Sequence, residues 1–222
     1  AILFDLGVVT SAIRPGPEEG YQACLMASDG PVPQGSVGAG TGATIGKVFG
    51  LESAVKGGVG ASSVRLSDGL IVGALVAVNA FGDVVEPETG KILAGPRCAG
   101  EPRFLSTLEL LVGGQASQEE PIPTNTTIGV VATNARLTKE QANKLALHAH
   151  DGLALTVRPC HAMGDGDVFF SLATGASDQP PDMNRLGAAA VVAVSRAIVN
   201  AIKEATTLGG VPSASEVLRD GG

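Results

Sequence analysis

Hydrophobic and polar positions alternate between two periods along this chain. Gly57 to Leu66 interleaves small, polar and apolar residues, Asp68-Gly69 is a hairpin turn, and Leu70-Ile-Val-Gly-Ala-Leu-Val-Ala-Val-Asn79 is a continuous apolar run. This predicts two antiparallel strands, the second buried. A second β-branched run, Ile128 to Ala132, is bounded by Thr133-Asn134, and Val168 to Ala173 reads as a third buried strand. Between them Thr138-Lys-Glu-Gln141 forms a capping box, and Ala142, Leu145, Ala146, Ala149 and Leu153 recur on one helical face. A long Ala/Val helix is predicted from about Asn184 to Ala205, ended by Gly209-Gly210. A shorter helix is predicted from Pro17 to about Ala27, and an opening strand over Ala1–Leu6. Ala94 to Thr124 carries one short amphipathic piece, Phe104 to Val112, in an otherwise irregular stretch of the kind that serves as a functional loop or a surface connection. Strand, helix, strand, helix after hairpin-like strands predicts a layered α+β domain.

Composition narrows the chemistry. The 222 residues are 44% hydrophobic and 17% charged, with 31 glycines, 3% aromatics and no Trp. A core of Val, Ala, Leu and Ile with many tight turns follows. With 22 carboxylates against 15 Lys plus Arg, nucleic-acid and anionic-membrane partners are not expected. No uninterrupted run of 18 apolar residues occurs. Cys24, Cys98 and Cys160 are scattered, which fits free thiols in a reducing, cytoplasmic compartment and neither disulfides nor a zinc site. Neither cofactor nor metal is expected. His148 and His150 are two apart on a predicted helix and face different ways, so they share no ion; with His161 they are assigned to structure.

Gly38-Ala-Gly-Thr-Gly-Ala43 invites a phosphate reading. Pro31 and Pro33 stand where a preceding strand would be needed, and Val48 follows Lys47 where a P-loop needs Ser or Thr. Close backbone packing accounts for these glycines instead.

The stretch with the most chemistry is Pro121-Ile-Pro-Thr-Asn-Thr-Thr-Ile-Gly-Val-Val-Ala132. The prolines keep the chain extended, and a hydroxyl residue at the mouth of a buried strand suits an N-terminal nucleophile, whose freed α-amine acts as base for its own hydroxyl. The same residues also read as a Thr-rich strand start, and Asn125-Thr126-Thr127 is formally a glycosylation acceptor. Asp165-Gly-Asp167 sets two carboxylates at a turn, where a cation between them would relieve their repulsion. Asn79 closes an apolar strand with an amide, as a strand-terminating Asn or as a hydrogen-bond donor to a reaction.

These motifs come in order. Asn125-Thr-Thr-Ile-Gly-Val-Val-Ala, His150-Asp-Gly-Leu-Ala, Arg158-Pro-Cys-His161 and Gly164-Asp-Gly-Asp-Val-Phe-Phe-Ser-Leu-Ala-Thr174 resemble the C-terminal part of the DmpA-like family. Gly35-Ser-Val-Gly-Ala-Gly-Thr-Gly-Ala, Lys56-Gly-Gly-Val-Gly60 and Val78-Asn-Ala-Phe-Gly-Asp-Val-Val-Glu-Pro-Glu-Thr-Gly90 are similar to the chain that precedes it. That family comprises L-aminopeptidase/D-esterases, β-peptidyl aminopeptidases and endo-type 6-aminohexanoate-oligomer hydrolases. The resemblance implies an αββα-type sandwich like the DmpA and ornithine acetyltransferase fold. It implies cleavage between Asn125 and Thr126, giving an α-chain portion, 1–125, and a β-chain, 126–222, within one domain. Thr126 would be the nucleophile, Asp165 and Asp167 the pair holding its amine, Asn79 the oxyanion donor, and Lys47 the lysine of the nylon-oligomer branch. Phe4 stands where several members carry Tyr. Ala1 opens inside an apolar run, and the chain is expected to be an N-terminally truncated part of a longer precursor. The implied substrate is a small peptide or linear amide, and the implied assembly a homo-oligomer of processed αβ units. The alternatives are a non-catalytic homologue and acyl transfer of the ornithine acetyltransferase kind.

Overall fold

The computed structural model describes residue 3, residues 12–115 and residues 125–219. Of the strand expected over Ala1–Leu6 only residue 3 is described, and Phe4 and the Pro121–Thr124 lead-in lie outside the described residues. In chain order the elements are α1 (Pro17–Leu25), β1 (Thr44–Ile45), β2 (Val55–Lys56), β3 (Gly58–Arg65), β4 (Ile71–Asn79), β5 (Asp83–Val85) and β6 (Ile92–Ala94). There follow α2 (Thr107–Val112), β7 (Thr126–Thr133), α3 (Lys139–Thr156), β8 (Val157–Arg158), β9 (Val168–Ala173), α4 (Met183–Lys203) and α5 (Ala214–Val217).

Asp68-Gly69 turns β3 back onto β4 as its residues dictate, with Gly69 at φ 88° and Arg65 opposite Ile71. β7 pairs antiparallel with the other edge of β4, and β9 lies parallel to β7, giving the order β3-β4-β7-β9. A parallel pair needs a crossover, and α3 supplies it. The capping box forms: Thr138 Oγ1 accepts from Gln141 N at 3.3 Å, and Thr138 N donates to Gln141 Oε1 at 2.9 Å. Asp182 caps α4 by accepting from Asn184 N at 2.9 Å and Arg185 N at 3.2 Å.

α3 and α4 pack on one face of this sheet and on each other. Leu145, Ala149 and Leu153 of α3 meet Leu186, Ala190, Val194, Ala197 and Ile198 of α4 over Val72, Val76 and Val78, all buried. Small residues make the approach possible. A Cβ on Gly60 would fall 1.9 Å from Ala197 O, and one on Gly152 2.8 Å from Val191 O. α4 is long and apolar enough to cross a bilayer, with mean hydropathy 1.5, although no uninterrupted apolar run signalled it; 67% of that window is buried inside the molecule, the pattern of a core helix.

The opposite face carries exposed Leu75, Phe170 and Leu172 over its middle. It becomes covered at the end where β4 reaches Asn79 and β7 begins at Thr126, because β1 and the segment to Lys47 cross there. β1 pairs with β2, and β6-β5-β8 forms a second small sheet. Asp83 of β5 is buried and accepts from Thr107 N at 2.8 Å and Thr107 Oγ1 at 2.5 Å; burial still pushes its carboxyl up to about 6.

Two expectations need correction. Within the described part of the stretch from Ala94, up to residue 115, Arg97 bridges to Phe104 and Thr107 anchors α2 to Asp83. The amphipathic piece becomes helix only at Thr107, since Ser106 caps it and Phe104 turns into the core. The central strand begins at Thr126, two residues before its apolar run, because β4 extends to pair with both threonines.

Candidate active site

Strand alternation decides where Thr126 points. It stands opposite Asn79 in the β4–β7 register, so both side chains leave the sheet on the face away from α3 and α4. Both are buried, at 0% and 1% exposure. Thr126 Oγ1 lies 2.5 Å from the carbonyl oxygen of Asn125 and donates to it. The same oxygen accepts from Gly166 N at 2.9 Å. The one peptide carbonyl preceding Thr126 is thus held between the hydroxyl that follows it and a backbone amide from the Asp165-Gly-Asp167 turn.

Asn79 is oriented by its neighbours. Its Oδ1 accepts from Lys47 Nζ at 2.7 Å, Thr44 N at 3.0 Å and Thr44 Oγ1 at 3.3 Å. With donors on the oxygen, the amide NH2 is the end turned the other way. Lys47 Nζ also reaches Asn79 O at 3.3 Å. Burial lowers the Lys47 ammonium to about 7, with Lys56 adding to the shift and Asp165 opposing it.

Lys56 was expected only as the first residue of Lys56-Gly-Gly-Val-Gly60, with no role of its own. Wholly buried, its ammonium donates to Thr41 O at 2.6 Å, Ala43 O at 2.9 Å and Gly40 O at 3.3 Å. It fastens the glycine-rich stretch that carries Thr44 and Lys47. Carbonyls converging on a cation are the wrong polarity for phosphate, and a Cβ on Gly40 would meet Gly35 O at 2.4 Å. Backbone packing is what these glycines serve.

Asp165 and Asp167 face the start of β7 from the other side. Asp165 bridges to Asn125, and its Oδ2 accepts from Ala162 N at 2.9 Å. Asp167 Oδ1 accepts from Thr127 N at 2.7 Å, and its Oδ2 from His161 N at 3.0 Å. Burial, then the Asp167 charge, raises Asp165 to about 6 against the pull of the Ala162 amide, Lys47 and the Phe81 amide. Around the Asn125–Thr126 bond, Asn125 Oδ1, Thr127 Oγ1 and Asp165 Oδ1 are buried without a well-formed hydrogen bond among the described residues.

Thr126, Asn79, Lys47, Asp165, Asp167 and the Asn125 linkage therefore converge. His161, assigned to structure, also touches the site: its Nδ1 lies 3.2 Å from Asp167 Oδ2. The only signal for it was its place in Arg158-Pro-Cys-His161. Thr44 and Gly166 carried no signal beyond their neighbours.

The model described as Peptidase family S58 matches residues 1–215. A protein of Mycobacterium tuberculosis named an uncharacterized aminopeptidase is 37% identical over 231 residues, covering 96% of this chain and 64% of its own. The 6-aminohexanoate-oligomer endohydrolase of Paenarthrobacter ureafaciens is 31% identical over 224 residues, covering 99% and 58%. Among solved structures, the L-aminopeptidase D-Ala-esterase/amidase of Ochrobactrum anthropi, described as a prototype for the serine aminopeptidases and a new variant of the Ntn hydrolase fold, superposes with TM-score 0.62. It is 23% identical, over 91% of this chain and 56% of that one, and shares the α+β fold. The chain spans 64% or less of the length of these relatives.

Proposed function

The chain belongs to peptidase family S58, and we propose that it is the core of a self-processing threonine-nucleophile amidohydrolase. Its substrates would be small linear amides: N-terminal amino-acid amides, short peptides or 6-aminohexanoate-type oligomers. The observation that carries this reading is the Asn125 carbonyl, held at 2.5 Å by Thr126 Oγ1 and at 2.9 Å by Gly166 N.

In the first cut Oγ1 adds to the Asn125 carbonyl carbon and the bond to Thr126 N breaks. Charge develops on Asn125 O, where the Gly166 amide already donates. No α-amine exists at this stage, so the proton must go elsewhere before it reaches the leaving nitrogen. Lys47, titrating near 7, and Asp165, near 6, are the groups of the site suited to take it. Water hydrolyses the resulting ester and leaves Thr126 as a new N-terminus.

In turnover that amine accepts the Oγ1 proton as Oγ1 attacks the substrate carbonyl carbon, and the Asn79 NH2 donates to the oxyanion. The proton then passes to the leaving amine as its C–N bond breaks, and water hydrolyses the acyl ester and restores the hydroxyl. Asp165 Oδ1, without a well-formed bond in the intact chain, gains the ammonium as its partner. The pieces 1–125 and 126–222 stay together as one domain, since β4 and β7 pair across the division.

Mass spectrometry of the full-length protein tests this. Two chains are expected, the second beginning at Thr126, with amide hydrolysis lost in Thr126→Ala. A single intact chain with unchanged properties in that variant selects a non-catalytic homologue. Acyl transfer to an amine acceptor without hydrolysis selects the acyltransferase alternative.

A further inference from the structure

His161 has φ 56°, alone in the left-handed region among the described non-glycine residues. A side chain as bulky as imidazole is disfavoured there by about 1 kcal/mol or more, and such residues persist where their surroundings over-determine them. What this conformation delivers is specific. The backbone N–H and the ring Nδ1 of the same residue both reach Asp167 Oδ2, at 3.0 and 3.2 Å. The other carboxylate oxygen takes Thr127 N at 2.7 Å. Asp167, with its side chain 2% exposed, is thereby locked between His161 and the peptide just beyond Thr126.

The ring is held from outside as well. His150 of α3 brings Nδ1 to 3.3 Å from His161 Nε2 and stacks edge-on against Phe169, ring centres 5.2 Å apart. His150 Nδ1 and His161 Nε2 can share one proton, and whichever ring carries it donates to the other.

We infer that His161 is a positioning residue of the proposed active site, acting through Asp167 to fix the start of β7 and to set the charge that Asp165 experiences. The inference rests on the reading of Thr126 as nucleophile. The groups facing the ring are Asp167 and His150, with Asp151 acting on His150, and Asp165 and Cys160 sharing the field of Asp167. The ring edge beside Asp167 Oδ2 tempers the Asp167 charge that bears on Asp165. The imidazole, 46% exposed, connects this buried cluster to solvent.

The test uses full-length protein and the isosteric pair His161→Asn and His161→Asp, both side chains tolerating the left-handed region. Asn keeps a donor toward Asp167 and Asp replaces it with a charge. His161→Gly removes the ring and frees the backbone. Self-cleavage is followed by mass spectrometry, and kcat and KM for a short amide substrate are followed against pH. His161→Asp and His161→Gly are expected to lose ~10-fold or more in kcat with KM nearly unchanged, and to move the acid limb of the pH profile upward by ~0.5 unit or more. His161→Asn is expected to recover most of kcat. Equal kcat and equal pH profiles in Asn, Asp and wild type would overturn the inference, as would a loss that follows melting temperature alone and is not restored by Asn. Wild type that neither cleaves itself nor turns over substrate fails the Thr126 reading instead, so the two failures are separable.

Discussion

Asn79 and Thr126 are direct partners across the β4–β7 pair, yet the carbonyl that Thr126 Oγ1 now contacts is held by Gly166 and not by Asn79. Under the proposed reading two different donors would serve two different oxyanions, the Gly166 amide in self-cleavage and the Asn79 side chain in turnover. Asn79→Asp keeps an oxygen for Lys47 and Thr44 but removes the NH2. It is expected to lower kcat by ~10²–10³ while still yielding the two chains. Steady-state kinetics beside mass spectrometry of the same preparation measures both. Loss of cleavage and turnover in equal proportion would show one shared donor instead.

If the chain cleaves itself as proposed, the pH dependence of that step follows from Lys47 near 7 and Asp165 near 6. Both accept a proton only when deprotonated, so the rate should climb from pH 5 through about 7 and level off above. Lys47→Met should remove the component near 7, and Asp165→Asn the component near 6. A time course of precursor loss by denaturing electrophoresis across pH 5–9 reads each component. A flat profile in the wild type would rule out both groups as the base.

The same shifts make a stability prediction of opposite sign for the two residues. Lys47 is lowered from 10.5 to about 7, so the unfolded chain binds more protons between those values and stability rises with pH across them. The penalty is complete below 7. Asp165 is raised from 3.8 to about 6, so its penalty is complete above 6 and disappears as pH falls toward 3.8. In an uncleaved Thr126→Ala background, Lys47→Met should raise the melting temperature at pH 7 by a few degrees, for ~1 kcal/mol in a chain of this size. That gain should vanish by pH 10.5. Asp165→Asn should show its gain at pH 7 and lose it by pH 4. Calorimetry across that range checks both, and destabilisation at pH 7 would mean that the pair's mutual attraction outweighs its burial.

How much of this was legible follows from what carries a pattern. The β3–β4 hairpin, the Thr138 capping box and α4 each extend over enough residues for a period or a cap to show. β1, β2, β5, β6 and β8 are two or three residues long, too short for any period, and their pairing depends on contacts distant in sequence. The site residues were found through the order of their motifs, with chemistry only making each one plausible. Lys56 could not be found, since nothing local distinguishes a lysine aimed at three buried carbonyls from one on the surface. The contact of His161 with the site was not foreseen for a related reason. Its contact with Asp167 depends on a positive φ in a turn, and the sequence signals that value clearly only at glycine.

Gly60 and Gly69 distinguish two ways in which a glycine is required. At Gly60 of β3 the backbone is ordinary, and the demand is space: a Cβ would meet Ala197 O at 1.9 Å and Ala201 N at 2.6 Å, both backbone atoms of α4. Gly69 has open space around its missing side chain and φ 88°, so the demand is conformational. Gly60→Ala must lift α4 from the sheet and open gaps among Val76, Val78, Ala197 and Ile198, which should cost ~3 kcal/mol or more. Gly69→Ala strains one exposed turn and should cost ~1 kcal/mol. Because α4 lies on the face away from Thr126 and Asn79, folded Gly60→Ala protein should still cleave at Asn125–Thr126. Urea unfolding of both variants in the Thr126→Ala background, with mass spectrometry of Gly60→Ala alone, tests this. Equal destabilisation by the two alanines would mean that α4 accommodates the methyl by sliding, and the close seat of this helix on β3 would then contribute little to stability.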